Sequence, residues 1–295
     1  MPWSEGPTPQ ERHGGFGVVG LGSMARALLF PLLESGQLKP GDVRGVVASA
    51  ASARQLSEAH GLQVSTDSQE AWQCPVVLLA VKPQQLEPVA ASAAAAAAAT
   101  LGWPADGPSP PAGEAPSNRR LLISVLAGVR LERLQRLFPL WCCVRAVPNA
   151  PCLVRAGLTG LAWGDGVDSF QRERVQRLFA LVGEVMELPE GQLDAFLALT
   201  SSGPAYVALI AEALADGAVA AGLPRPLAAH LAHRTLAGTA ALLKDRELHP
   251  GELKDMVSSP AGTTMAGLRE LERAGVRSAL IEAVLAASER SRALA

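Results

Sequence analysis

Positive charge is not in excess in this chain: 26 Lys and Arg stand against 28 Asp and Glu in 295 residues, for a formal net charge of −2. A balance of that kind offers no basic field for nucleic acid or for an anionic membrane, and neither is expected as a partner. Cysteine is scarce. Cys74, Cys142, Cys143 and Cys152 show no C-x-x-C and no zinc spacing, and an adjacent pair such as Cys142-Cys143 does not readily close a relaxed bridge on itself. A disulfide framework is therefore excluded, and a reducing, cytoplasmic compartment is expected. Long hydrophobic runs are also missing: the longest low-polarity stretch, around Ala93–Ala99, is alanine-rich and short of the roughly 20 strongly apolar residues of a membrane span. Met1–His13 has neither the apolar core of a signal peptide nor the Arg-rich pattern of a transit peptide, and reads as a loose tail. No H-E-x-x-H pattern, nucleophile elbow or paired-carboxylate signature is evident. His230 and His233 stand three apart on a helix without a third ligand nearby, so no metal is expected.

What is present is a regular succession of short apolar runs and helical spacings. With 48% apolar residues the chain supports two domains, each with a core. Phe16–Gly20 (FGVVG) leads into Gly20-Leu21-Gly22-Ser23-Met24-Ala25, after which Ala27, Leu28, Leu29, Leu32 and Leu33 recur at helical spacing. Further runs at 43–48, 76–81, 121–126, 141–147, 157–163 and 182–188, with an amphipathic helix over 169–181, predict a parallel sheet of βαβ units. Between Glu87 and Arg120 a polyalanine tract gives way to WPADGPSPPAGEAPSN, expected as an inserted, disordered loop at about residues 88–119. Beyond Glu190, alanine and leucine dominate 193–221, 226–245 and 253–257 without strand alternation, as in packed helices. The expected fold is α/β, with a Rossmann-like dinucleotide-binding domain at 14–189 followed by an all-α domain at 190–295.

The glycine turn carries the first chemical signal. Gly20 permits a tight turn, Gly22 lets the backbone approach a pyrophosphate, and small Ala25 lets the helix pack close to the strand. At the end of the second strand an NAD enzyme usually presents an acid to the ribose hydroxyls, but this chain reads Ala48-Ser49-Ala50-Ala51-Ser52-Ala53-Arg54. Arg54 is either a cation for the 2'-phosphate of NADP or a solvated residue on a helix face. A second signal lies in LKDMVSSPAGTTMAGL, residues 253–268, where a helical region breaks at Ser258-Ser259-Pro260-Ala261-Gly262-Thr263-Thr264. Pro260 is expected to end the first helix at Ser259, and Thr263 and Thr264 to cap the next.

In chain order, VVGLGSMARAL, LLAVKP, VRAVPNAP, TSSGPAYV, EALADGAVAAGLP and LKDMVSSPAGTTMAGL together resemble the pyrroline-5-carboxylate reductase family over nearly the whole chain from about Phe16, apart from the insertion. The resemblance implies an NAD(P)H-dependent reductase of the last step of proline synthesis, with NADPH slightly favoured over NADH, no metal, and a helical domain that forms a homodimer, often in a larger ring. It implies cofactor contacts at Gly20, Gly22, Ser23, Met24, Ser49, Ala50 and Asp67, with Ala80, Val81, Lys82, Pro83, Val125, Leu126 and Ala127 on the nicotinamide side. Glu190, Gly262, Thr263 and Thr264 are implied at the substrate, with Thr264 on the ring nitrogen, and Asn149 in the loop below it. The chain departs from the family where Ala261 and Ser201 replace glycines, where Asp67 replaces Asn, and where Leu126 is bulkier than usual. Two other readings stay open: another NADP-dependent imine or hydroxy-acid reductase, and a non-catalytic NADPH-binding sensor.

Overall fold

In the computed structural model, residues 15–101 and 120–294 are described; the expected N-terminal tail and the proline-rich part of the insertion lie outside these residues. The described chain divides into two compact units, residues up to 197 together with 289–295, and residues 198–288.

The first unit is built on one eight-stranded sheet in the order β3-β2-β1-β4-β5-β6-β7-β8. Its strands are β1 (Phe16–Val19), β2 (Val43–Val46), β3 (Gln63–Ser65), β4 (Val76–Leu79), β5 (Arg120–Ser124), β6 (Trp141–Val147), β7 (Gly157–Trp163) and β8 (Gly183–Glu187). Its helices are α1 (Ser23–Glu34), α2 (Ala50–His60), α3 (Gln69–Gln73), α4 (Leu86–Leu101), α5 (Leu131–Leu137), α6 (Ser169–Ala180) and α7 (Leu193–Thr200), the last of which crosses the boundary between the units. β1, β4 and β6 are buried along their whole length, which is why they read as continuous apolar runs. α1 buries Ala25, Leu28, Leu29 and Leu32, one face at helical spacing. Each such leucine contributes roughly 1.5–3 kcal/mol by leaving water.

Three features depart from the expectation. β3, a three-residue polar edge strand, carries no apolar run to announce it. β6 and β7 pair antiparallel, Val144 opposite Trp163 and Val147 opposite Gly160, because the Pro148–Ala156 connection is too short for a crossover. Most consequentially, residues 88–101 are not a disordered loop but belong to α4. Alanine loses no side-chain entropy on ordering and is the best helix former, so the entropy argument fails there. Ala90, Ala93, Ala96 and Ala97 are buried, and Trp72 Nε1 donates to Ser92 Oγ at 3.0 Å.

The second unit contains α8 (Gly203–Ala220), α9 (Arg225–Asp245), α10 (Pro250–Met256), α11 (Thr263–Arg273) and most of α12 (Val276–Ala293). α8 packs on α9 through Ala215, Ala228 and Ala232, while Leu209, Leu214, Leu227, Leu231, Ile281 and Leu285 stay exposed. The stretch Glu190–Ala220, mean hydropathy 1.4, is long and apolar enough to cross a membrane by length and composition alone; in this fold it is interrupted between α7 and α8.

Candidate active site

β1 pairs with β2 on one side and β4 on the other, so the sheet reverses its winding between β1 and β4, and the crevice outside those strand ends is where open α/β sheets bind ligands. A cleft of about 670 Å³ occupies that position, lined by Val19–Gly22 after β1, Val46–Ala48 after β2 and Ala80–Lys82 after β4. Gly20 has φ +94° and lies so close to the Ala80 carbonyl that a Cβ would stand 2.6 Å from its oxygen. Gly22 performs a different service: space around its missing Cβ is open to 4 Å, and it is the N-cap of α1 without any side-chain cap. The first amides of α1 are thus free for an anion, at the positive end of the helix.

The cleft's charge agrees with that geometry. Among the described residues Arg26, Lys82 and His60 line it, and no aspartate or glutamate does. A pyrophosphate fits such a site, and a cleft of this volume fits a dinucleotide.

Of the cofactor residues the resemblance implied, Gly20, Gly22, Ala80, Val81 and Lys82 line the cleft. Ser23, at the start of α1, and Met24, packed against the core, adjoin it in sequence without lining it. Ser49 Oγ is spent locally: it caps α2 by accepting from Ser52 N at 3.2 Å and donates to Ser52 Oγ at 3.0 Å, and Ala50 opens the helix. Ser52 takes their place in the wall. Asp67 lies outside the cleft, in a smaller pocket of about 210 Å³ beside Arg44 and Glu70, where Oδ1 accepts from Gln69 N at 3.0 Å; its neighbours Thr66 and Ser68 are the ones that line the cleft. Pro83 starts a 3₁₀ turn after Lys82. Past β5, Val125 packs partly against the core, Ala127 is exposed and Leu126 is buried, so the extra bulk at 126 is absorbed by the core. Arg54 is exposed and does not line the cleft.

Glu190 is engaged within its own unit. Its Oε1 accepts from Leu131 N at 2.7 Å and from Arg145 Nη1 at 3.2 Å. Arg145 is fully buried, reaches Asp194 Oδ1 with Nη2 at 3.4 Å, and Asp194 in turn accepts from Ser291 Oγ at 2.8 Å. Asn149 Oδ1 accepts from Leu158 N at 2.8 Å and ties the loop after β6 to β7.

In the second unit the broken helix proves to be a tight turn. α10 ends at Met256, three residues earlier than expected. Gly262 N donates to Ser259 O at 3.0 Å across Pro260 and Ala261, and Ala261 has φ +57°. Proline followed by a left-handed residue is the pattern of a type II turn, whose third position favours glycine. The strain anticipated from the missing glycines therefore falls on Ala261 and not on Ser201, which is absent from the positive-φ residues. Gly262, at φ −75°, is needed for another reason, since a Cβ there would run into Ser259 Oγ. Gly262 is also the N-cap of α11, and neither Thr263 nor Thr264 caps it. The first helical bond is from Ala266 N to Gly262 O, which leaves the amides of residues 263–265 and both threonine hydroxyls outside the helix ladder.

The family described as pyrroline-5-carboxylate reductase dimerisation matches residues 190–294, and that described as NADP oxidoreductase, coenzyme F420-dependent, matches residues 15–101. A pyrroline-5-carboxylate reductase of Synechocystis sp. is 44% identical over 281 residues, 94% of this chain and 97% of the relative. The chain belongs to the pyrroline-5-carboxylate reductase family. Among solved structures of the family, the Coxiella burnetii enzyme superposes with a TM-score of 0.79 at 30% identity, covering 96% of this chain and 98% of that one. The Plasmodium falciparum pyrroline carboxylate reductase, solved with NADP bound, gives a TM-score of 0.80 at 26% identity, covering 96% and 98%. Family membership supports an oligomer, and the second unit's surface has the corresponding physics. Its large apolar side chains, Leu209, Leu214, Leu227, Leu231, Ile281 and Leu285 among them, are left exposed in a single copy.

Proposed function

We propose that the protein reduces 1-pyrroline-5-carboxylate to L-proline with a nicotinamide cofactor, the last step of proline biosynthesis. The observation that carries this reading is the presence on one chain of a carboxylate-free switch-point cleft and of the Ser259–Thr264 turn with its free α11 amides. When bound, the cofactor supplies a hydride to the imine carbon. The cleft fits it through Gly20, Gly22 and the α1 amides at the pyrophosphate, with Ala80, Val81 and Lys82 toward the nicotinamide.

The chain's own part is to bind, orient and neutralise. The amides of residues 263–265 receive the substrate carboxylate at the positive end of α11, and Thr264 Oγ accepts from the protonated ring nitrogen. With the nitrogen already protonated, hydride addition turns the C=N bond into C–N without a separate acid, so orientation supplies much of the rate. Glu190 has a supporting part in this reading, holding Arg145 and the start of α5.

NADPH is the expected cofactor, because residues 47–50 after β2 offer no carboxylate to the ribose. The exposed leucines of the second unit are assigned to a second copy of the chain, with dimers joining into a ring. The four cysteines are buried and none is in a disulfide, which suits the cytoplasm. Neither membrane nor nucleic acid enters this scheme.

The test is oxidation of NADPH followed at 340 nm with pyrroline-5-carboxylate as substrate. Thr264→Val should lower kcat/KM by about 10- to 100-fold with nucleotide affinity kept, the loss of one hydrogen bond to a charged group. A folded protein that binds NADPH without turnover refutes the catalytic reading; unchanged turnover in Thr264→Val refutes the role of its hydroxyl.

A further inference from the structure

The cleft contains a cation that the glycine fingerprint does not include. Arg26 stands one residue beyond Ala25, in the second turn of α1, with its side chain exposed and in the cleft wall. Its hydrogen bond is a long one, Nε to Gly22 O at 3.5 Å, and no carboxylate pairs with it among the described residues. Its direction follows from helix geometry. Phe30 lies four residues on, on the same face of α1, and its ring meets His60 at the end of α2 with centroids 4.4 Å apart. Arg26 therefore faces α2, and Ser52, Gln55, Ala59 and His60 of α2 share the cleft wall with it.

That side of a switch-point cleft is where the ribose of the adenosine half rests, because the residue that reads its 2' position sits at the end of β2. Here the end of β2 has no acid, Ser49 Oγ is committed to capping α2, and Arg54 lies outside the wall. Lys82, the other cation of the cleft, follows β4, across the switch point from α2. A guanidinium without a carboxylate partner is left facing the ribose position.

Resting on the reductase reading above, we propose that Arg26 is the residue that recognises the 2'-phosphate of NADPH, reaching it from α1 rather than from the β2 loop. The fork of donors suits a dianionic phosphate and finds nothing comparable in NADH.

The experiment measures dissociation constants of NADPH, NADH, 2',5'-ADP and 5'-AMP by titration calorimetry or nucleotide fluorescence, on wild type, Arg26→Gln, Arg26→Lys and Arg54→Gln. Arg26→Gln should weaken NADPH and 2',5'-ADP by about 10- to 100-fold, with NADH and 5'-AMP within twofold of wild type. Arg26→Lys should recover part of the loss, and Arg54→Gln should have no effect. Equal weakening of NADPH and NADH would place Arg26 on the pyrophosphate and overturn the proposal. So would unchanged NADPH binding in Arg26→Gln, or a wild type that prefers NADH, and in both of those cases the reductase reading survives. A wild type that binds neither dinucleotide would instead refute the reading of the cleft itself.

Discussion

Arg145→Met is the most informative perturbation of the first unit. The guanidinium is 1% exposed and joins two carboxylates, Glu190 at 3.2 Å and Asp194 at 3.4 Å, while its Nε has no partner among the described residues. Compared with a well-packed apolar replacement of all three side chains, such a cluster contributes little; removing the cation alone is another matter, because it strands buried anions, at a cost of about 3–5 kcal/mol. The two anions differ. Glu190 keeps the Leu131 amide and is 28% exposed, so it rehydrates; Asp194, at 5%, keeps only the Ser291 hydroxyl and cannot. The expected loss is therefore near the lower bound, about 3 kcal/mol, or a fall in Tm of roughly 6–12 °C. Urea and thermal unfolding at one fixed protein concentration measure it, since an oligomer's stability depends on concentration. Adding Asp194→Asn, which removes the stranded charge and keeps an acceptor for Ser291, should return about 1–2 kcal/mol, whereas adding Glu190→Gln should return less. Arg177→Met, which breaks an exposed pair with Glu173, serves as a control expected within about 0.5 kcal/mol. A loss below about 1 kcal/mol for Arg145→Met, or a larger rescue by Glu190→Gln than by Asp194→Asn, would refute the reasoning.

Two further outcomes follow from local chemistry. Burial lifts the Cys74 thiol from its ordinary 9.0 to about 11, with the nearby Arg44 and Arg120 opposing only part of the shift. Below pH 9 the thiol is neutral in both folded and unfolded chains; between pH 9 and 11 only the unfolded chain ionises, so stability falls through that window by about 2–3 kcal/mol. Cys74→Ala should lose correspondingly less between pH 9 and 11 in urea titrations, and parallel losses in the two proteins would contradict the assignment. Ala261→Gly should raise stability by about 0.5–1 kcal/mol, since relief of a left-handed Cβ, worth about 1–2 kcal/mol, outweighs the added freedom of the unfolded chain, about 0.4–1 kcal/mol. A loss on substitution, measured by the urea midpoint, would show that Ala261 is not strained.

Much of the sheet was legible because burial on both faces leaves a plain signature. β6 and β7 occupy the residues that their apolar runs indicate, and β1, β2, β4, β5 and β8 differ only at their ends. β3 was not, since a three-residue edge strand with one apolar side chain, Val64, forms no apolar run. α4 lies beyond composition alone: seven successive alanines bury little area apiece, but a helix places Ala90, Ala93 and Ala97 on one face, in one core cluster with Val77, Leu79 and Leu122 of the sheet. At the site, the glycine turn and the Lys82 strand end were readable as local spacing. Arg26 was passed over because the fingerprint stops at Ala25, although its position four residues beyond Gly22 marks it as facing the same side of α1. Arg145 gave no local signal at all, as its partners lie 45 and 49 residues away.

The second unit shows a different limit. Its leucines and alanines are expected to form packed helices, and in the folded single chain Ala211, Ala215, Ala228 and Ala232 are interior but many of the other alanines and of the leucines are not. Apolar content measures how much surface a sequence must keep from water; it does not say which chain supplies the other half of the contact. Leu209 and Leu214 on α8, with Leu227 and Leu231 on α9, are left uncovered by the small-residue seam that holds these two helices together. Small residues let α8 and α9 approach closely, and the larger ones are thereby turned outward. Two of them, Leu209 and Leu214, are among the residues that make Glu190–Ala220 apolar enough to resemble a membrane span. The break between α7 and α8, with Pro204 in the first turn of α8, interrupts that run. Family membership supports an oligomer, and a second copy of the same chain, the partner proposed above, is a covering surface of matching chemistry for these leucines.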